Sequence, residues 1–222
     1  MTSPPTCDTT AGFARVLRFD RVQRVTHWAL AVLFTVLIAT AFPLYFGSFF
    51  GFVLPRHPVQ LVHLGAGLAL PVPVLAALVG PWGARMRRDV RRFNYWTRDE
   101  VTWLRTLGHA PLAAEKFNPG QKLNAVFVGA SIIVMLITGA MLQWFRYFSI
   151  SEREGATFVH DGFAFLLVVV IVGHLYMALT HRESLRSMFD GAVSRRWVDQ
   201  HAPAWRDDHD DLAPDAQHPA GP

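Results

Sequence analysis

The segment FVHDGFAFLLVVVIVGHLYMAL, residues 158–179, decides how the rest of the chain is organised. It is almost wholly apolar, yet it contains two histidines, His160 and His174. An α-helix turns about 100° and rises about 1.5 Å per residue, so the two imidazoles project from nearly the same face, about 21 Å apart. An imidazole in hydrocarbon costs free energy unless a hydrogen-bond partner, a pore or a metal compensates its desolvation. Each histidine therefore needs a partner at its own depth.

The composition of the whole chain is that of a membrane protein. Its 222 residues are 51% hydrophobic and only 17% charged. Lipid offers no hydrogen bonds to the backbone and four strands cannot close a barrel, so we predict an all-α, polytopic bundle of four transmembrane helices. The predicted spans are 28–47, 59–80, 123–145 and 158–180, all within one domain of residues 15–206. We predict disorder for residues 1–14 and for the acidic tail 207–222.

The positions of the basic residues predict the orientation. Of the 21 Lys and Arg residues, only Arg56, Arg146 and Arg153 lie between spans one and two or between spans three and four. The positive-inside rule therefore predicts that both termini are cytoplasmic. The same asymmetry accounts for the net charge of +4, so the charge does not indicate a nucleic-acid partner. Because Cys7 is the only cysteine, a disulfide framework or an iron–sulfur cluster within this chain is excluded.

Four histidines form two pairs when they are sorted by depth. His27 and His174 lie near the cytoplasmic boundary, whereas His63 and His160 lie near the outer boundary. Two neutral imidazoles that face each other inside a helix bundle are the arrangement that holds a b-type haem by its iron. We therefore predict two haem b groups, with iron ligands His27/His174 and His63/His160. Iron with both axial positions filled has no open site, so its role is electron transfer rather than catalysis.

The sequence alone also permits two different roles for these intramembrane histidines. A single intramembrane histidine can simply bond a neighbouring helix. A divalent-metal transporter would also use intramembrane histidines, although the spans contain only one carboxylate, Asp161, where such paths usually carry several. We predict that the remaining histidines are solvated surface residues; these are His57, His109, His181, His201, His209 and His218.

Several motifs carry a resemblance to a known family. They are Asp20-Arg21 with His27-Trp28, His63, KFNPGQK at 116–122, the His160/His174 pair, and GAVSRRW at 191–197. On these motifs, from about Phe19 to Trp205, the chain resembles the gamma subunit, the membrane cytochrome b, of respiratory formate dehydrogenases. That subunit belongs to the broader group of bacterial di-haem cytochrome b membrane subunits.

The resemblance implies a quinone site beside the inner haem. Its residues here would be Asn118, Gly120 and Gln121 together with the haem ligand His174, and the acceptor would be menaquinone or ubiquinone. An amide-rich turn at the inner membrane edge supplies a donor for a quinone carbonyl and access to cytoplasmic protons. The same turn also matches a helix N-terminal cap with a flexible glycine. Two roles fit nearby Arg21, Arg24 and Lys122 equally well. They are partners of the haem propionates or surface charges beside anionic lipid.

The resemblance also implies partners and a location. The partners would be an iron–sulfur beta subunit and a molybdenum or tungsten alpha subunit, in the bacterial cytoplasmic (inner) membrane. Electrons would pass from the outer-face iron–sulfur subunit through both haems to quinone on the cytoplasmic side. The chain alone would then have no dehydrogenase activity. The alternatives are a stand-alone di-haem oxidoreductase acting on superoxide or quinol, or the cytochrome b subunit of a hydrogenase or thiosulfate reductase.

Overall fold

The computed structural model describes residues 15–50 and 55–205, and this part of the chain is mainly helical. The all-α polytopic fold predicted from the sequence is confirmed. The terminal segments predicted to be disordered, 1–14 and 207–222, lie outside the described residues. In chain order the elements are β1 (Arg15–Leu17), α1 (Arg21–Tyr45), α2 (Gly47–Phe50), α3 (Arg56–Ala69), α4 (Val72–Val79), α5 (Ala84–Asn94), α6 (Arg98–Arg105), α7 (Pro119–Gln143), α8 (Ile150–Thr180), α9 (Arg182–Asp190), β2 (Ala192–Ser194) and α10 (Arg195–His201).

Four helical segments are long and apolar enough to cross a membrane. They are α1 with 25 residues, α3 with α4 over 24, α7 with 25 and α8 with 31. Three of these helices begin well before the predicted spans, because α1, α7 and α8 each start with a capping box, at Asp20, Asn118 and Ser149. A capping side chain decides where a helix begins, whereas hydropathy detects only its apolar part.

The second span is broken at a proline. Helix α3 ends at Ala69 and α4 begins at Val72, with Pro71 between them. Proline has no N–H to continue the helical ladder and its ring clashes with the preceding turn. The backbone N–H of Leu70 accordingly donates to the carbonyl of Gly67 at 3.2 Å, a tighter turn than that of an α-helix.

The four long segments pack as two neighbouring helix pairs. Helix α1 lies along α3, helix α7 lies along α8, and α3 joins the pairs through α7. Large apolar side chains such as Val32, Ile133 and Phe165 point outward and are more than half exposed. An apolar surface of this extent is typical of helices that face lipid.

One end of the bundle carries a small folded unit, made of β1, β2, α5, α6, α9 and α10, which we call the base. The antiparallel strands place Val16 opposite Val193, and these residues begin a buried cluster. The cluster continues through Trp197, Val198, Ala202 and Trp205. The sequence did not reveal these strands, because three residues are too short for an alternating pattern.

The turn into β2 depends on a glycine. Gly191 has φ of +91°, a conformation that L side chains rarely adopt. Its carbonyl accepts hydrogen bonds from the backbone N–H groups of Arg18 and Phe19, at 2.8 and 2.9 Å. This turn therefore fastens the C-terminal segment to the residues that precede α1.

Candidate functional site

The inner histidine pair lies next to the base. His27 on α1 and His174 on α8 face each other with their ring centroids 6.1 Å apart and their planes at 51°. Trp28 packs edge-on against His27, with the ring centroids 5.6 Å apart. The indole N–H of Trp28 also donates to the carbonyl of Met188 at 3.0 Å. The structure thus brings together the two residues that the sequence paired by depth.

The outer histidine pair lies toward the opposite end of the bundle. His63 on α3 and His160 on α8 have ring centroids 6.5 Å apart and planes at 61°. Helix α8 therefore supplies one histidine to each pair, and a rise of about 1.5 Å per residue separates these two by about 21 Å. The two pairs are distinct sites stacked along one helix.

In both outer histidines, the ring nitrogen Nδ1 makes a hydrogen bond. Nδ1 of His63 lies 2.8 Å from the hydroxyl of Thr40, and Nδ1 of His160 lies 2.9 Å from the hydroxyl of Thr138. A nitrogen occupied in this way leaves Nε2 as the atom available to a metal. Sequence reasoning missed both threonines, since nothing local connects them to histidines on other helices.

The geometry of both pairs matches axial ligation of one iron from its two faces. A metal–nitrogen bond of about 2 Å and about 1 Å from nitrogen to ring centre place two such centroids about 6 Å apart. The observed separations are 6.1 and 6.5 Å. Each pair offers only two nitrogens, too few for a bare metal ion. A porphyrin supplies the other four, so the donor set fits a haem.

The inner pair differs from the outer pair in the hydrogen bonding of Nδ1. Nδ1 of His27 is buried and has no hydrogen-bond partner among the described residues. His174 is the most exposed of the four histidines and likewise makes no hydrogen bond within the described part of the chain. The two sites therefore share an imidazole pair but differ in what surrounds it.

The turn predicted to bind quinone is the N-terminal cap of α7. The side-chain oxygen of Asn118 accepts from the N–H of Gln121 at 2.9 Å, and the oxygen of Gln121 accepts from the N–H of Asn118 at 3.0 Å. The interpretation of this turn as a helix cap is confirmed. Both caps use oxygen atoms, so the two NH₂ groups remain as donors. Gln121 and the neighbouring Gly120 are exposed.

The two lysines that flank this turn are buried in ion pairs. Lys116 contacts Asp89 at 2.7 Å, and Lys122 contacts Glu100 at 2.6 Å. Lys122 is therefore not a surface charge, contrary to that interpretation of the sequence. A charge is buried only when it is paired, and the acidic partners lie on α5 and α6. These contacts hold the loop between spans two and three against the start of α7.

A third buried cation lies in the base. The guanidinium of Arg18 lies 4.4 Å from the ring centre of Trp197 and donates to the hydroxyl of Ser184 at 3.0 Å. Burial lowers the pKa of Arg18 to about 10, and the charge of nearby Asp89 opposes that shift. Arg18 thus joins the residues before α1 to α9 and α10.

The other histidines within the described residues are exposed, as predicted; these are His57, His109, His181 and His201. Three of them also have Nδ1 close to a carbonyl of their own helical turn. His209 and His218 lie outside the described residues.

Comparison with known proteins gives a consistent result. The model of a family described as prokaryotic cytochrome b561 matches residues 18–191. The chain is 27% identical over 199 residues to the formate dehydrogenase cytochrome b556 subunit of Haemophilus influenzae, covering 86% of this chain and 82% of that protein.

Two proteins of Escherichia coli strain K12 are similarly related. Identity is 28% over 208 residues to the formate dehydrogenase cytochrome b556(fdo) subunit, covering 86% of this chain and 91% of that protein. Identity is 24% over 206 residues to the nitrate-inducible cytochrome b556(Fdn) subunit, covering 86% and 89%. The resemblance drawn from the sequence motifs is confirmed.

Proposed function

Because the chain belongs to the prokaryotic cytochrome b561 family, we propose that it is the membrane cytochrome b subunit of a respiratory dehydrogenase, most specifically of a formate dehydrogenase. The names of the relatives support this assignment over most of the chain's length. The observation that carries it is the pair of facing imidazoles at each end of α8.

Membership of a b-type cytochrome family implies b-type haem, and we assign two. His27 and His174 would hold the inner one, and His63 and His160 the outer one. When bound between two imidazoles, haem iron supplies reversible one-electron transfer and has no open position for a substrate. The protein contributes by fixing the imidazoles on rigid helices and by excluding water with apolar side chains.

Asn118, Gly120 and Gln121 are our proposed quinone site. The capping oxygens hold the turn in place, while the amide N–H groups are free to donate to a quinone carbonyl. Exposure of Gly120 and Gln121 at the end of α7 gives solvent protons access to the turn. The acceptor is of the menaquinone or ubiquinone class.

We further propose the orientation and the partners. Most basic residues lie at the end of the bundle that carries the base, so the positive-inside rule puts the base and both termini in the cytoplasm of a bacterial cell. An outer-face iron–sulfur subunit would then deliver electrons at the His63/His160 pair, and electrons would leave near His174 toward quinone. The molybdenum or tungsten subunit that oxidises the substrate would be a separate chain.

The haem-to-protein ratio of the purified membrane complex tests the haem assignment. We expect two b haems per chain in the wild type and one in His63→Ala and in His27→Ala. His57→Ala is the matched control, because His57 is exposed and should leave both haems in place. A wild-type chain with no b-type absorbance, or a His63→Ala variant that keeps two haems, contradicts the assignment. The subunits that co-purify identify the partner.

The quinone assignment has its own test. Asn118→Asp and Gln121→Glu keep the capping oxygens but remove the amide donors, so the melting temperature should hold. Loss of one hydrogen bond of about 1 kcal/mol should raise the KM for quinone roughly fivefold. Asn118→Ser, which is also a good cap, replaces the amide donor by a single hydroxyl donor and tests whether the amide itself is needed. An unchanged KM in all three variants contradicts the site.

A further inference from the structure

Two threonine hydroxyls contact the outer histidines across helix boundaries. Thr40 on α1 contacts His63 on α3, and Thr138 on α7 contacts His160 on α8. In each case the threonine belongs to the helix that packs along the helix carrying the histidine. The same contact therefore occurs once in each helix pair and converges on one site.

The direction of these hydrogen bonds follows from the proton count. The hydroxyl of Thr40 lies 2.7 Å from the carbonyl of Val36, and that of Thr138 lies 2.8 Å from the carbonyl of Val134. A carbonyl only accepts, and a hydroxyl has a single proton to donate. Each hydroxyl therefore donates within its own helix and accepts the N–H of the imidazole. This protonates Nδ1 and leaves the lone pair on Nε2.

We propose that Thr40 and Thr138 are positioning residues that orient His63 and His160 as iron ligands and lower the reduction potential of the outer site. The inference rests on the proposed haem function of this pair. A hydrogen bond from the ring N–H fixes the tautomer and the rotation of a metal-ligating histidine and makes its other nitrogen more basic. A more basic ligand stabilises the oxidised iron over the reduced iron.

The inner pair lacks this feature. Nδ1 of His27 is buried without a partner among the described residues, and His174 makes no hydrogen bond within the same part of the chain. Ligand basicity alone thus favours oxidised iron at the outer site and reduced iron at the inner site. That difference favours electron movement from the outer pair to the inner pair, toward the proposed quinone site.

Isosteric variants of the intact complex test this inference. Thr40→Val, Thr138→Val and the double variant remove the hydroxyl but preserve the volume of the side chain. Thr40→Ser and Thr138→Ser restore a hydroxyl. Thr35→Val is the matched control on α1, because Thr35 makes the same bond within the helix, to Ala31 at 2.8 Å, on an exposed face. The readouts are the haem-to-protein ratio and the two midpoints in a potentiometric titration followed by absorbance.

We expect one midpoint to rise and the other to stay constant. Loss of one hydrogen bond should change the ratio of reduced to oxidised iron about threefold to tenfold at a given potential. At 59 mV per tenfold change for one electron, this is a rise of about 30–60 mV. The double variant should show the largest rise, the serine variants should return toward wild type, and Thr35→Val should not move either midpoint.

The results separate this inference from the haem assignment. Two haems with both midpoints unchanged in the double variant overturn the role of the threonines and leave the haem assignment standing. Loss of one haem in the valine variants supports the role when serine restores it and contradicts the role when serine does not. Two haems retained in His63→Ala would instead overturn the haem assignment itself.

Discussion

The buried ion pair at the start of α7 yields the sharpest stability prediction. The Nζ of Lys122 lies 2.6 Å from Oε1 of Glu100, and the two side chains are only 2% and 5% exposed. Lys122 also donates to the carbonyl of Tyr95 at 3.0 Å. These contacts fix the first turn of α7, which contains the proposed quinone residues, against α6.

The magnitude follows from the distance and the burial. Two unit charges 2.6 Å apart attract by about 6 kcal/mol at an effective dielectric constant of about 20. Desolvation of both ions offsets part of this attraction, but Lys122→Met leaves the carboxylate of Glu100 buried without its cation. We expect Lys122→Met to lower the free energy of unfolding by about 3–5 kcal/mol.

A second substitution separates the ion pair from the packing. Glu100→Gln keeps an oxygen that accepts from the N–H of Thr97, so the capping box of α6 survives while the charge is removed. Adding it to Lys122→Met should recover more than half of the loss, because no unpaired charge remains buried.

The assay is unfolding in mixed micelles of increasing SDS fraction, followed by tryptophan fluorescence. Asp199→Asn is the control; it breaks the exposed pair between Arg195 and Asp199, at 3.4 Å, and should cost no more than about 1 kcal/mol. A loss below about 1 kcal/mol for Lys122→Met, or a double variant as unstable as the single one, would refute the reasoning.

Three further predictions concern the base. Gly191→Ala should cost about 1–3 kcal/mol, because φ is +91° and the new Cβ would lie 2.6 Å from a backbone oxygen. Gly155→Ala in α8, with open space around it, should be neutral in the same SDS unfolding assay. Burial alone would raise the pKa of Asp190, but hydrogen bonds from Arg15 and a backbone amide outweigh this effect. The pKa of Asp190 is therefore lowered overall. The carboxylate therefore stabilises the fold fully above about pH 4 and loses this effect progressively as the pH falls through its lowered pKa. Asp190→Asn should cost about 0.5–1 kcal/mol at pH 7 and less at pH 3, and equal costs at both pH values would contradict this. Asp89→Asn should cost about 3–5 kcal/mol by removing the carboxylate that pairs with buried Lys116, and an added Lys116→Met should recover part of that loss in the same assay.

Local features of the sequence were sufficient for much of the architecture. Hydropathy predicted four transmembrane helices. The spacing of His160 and His174 on one helix predicted two levels, and depth matching predicted their partners, which the structure brings together. The cap at Asn118 was also readable, because its signal lies within four residues. Each of these properties depends on neighbours along the chain.

Contacts between helices were decided by the tertiary structure. The hydrogen bond between His63 and Thr40 spans 23 positions, and the antiparallel strands β1 and β2 pair Arg15 with Ser194. The sequence around Lys122 is compatible with a surface lysine, yet the side chain is buried in an ion pair with Glu100 on α6. The physical reason is that a membrane helix is apolar on its lipid face and on its interior face alike. Hydropathy therefore determines that these helices cross the bilayer and at what depth each histidine lies, while the rotation of each helix, which selects the partners, is set only when the helices pack.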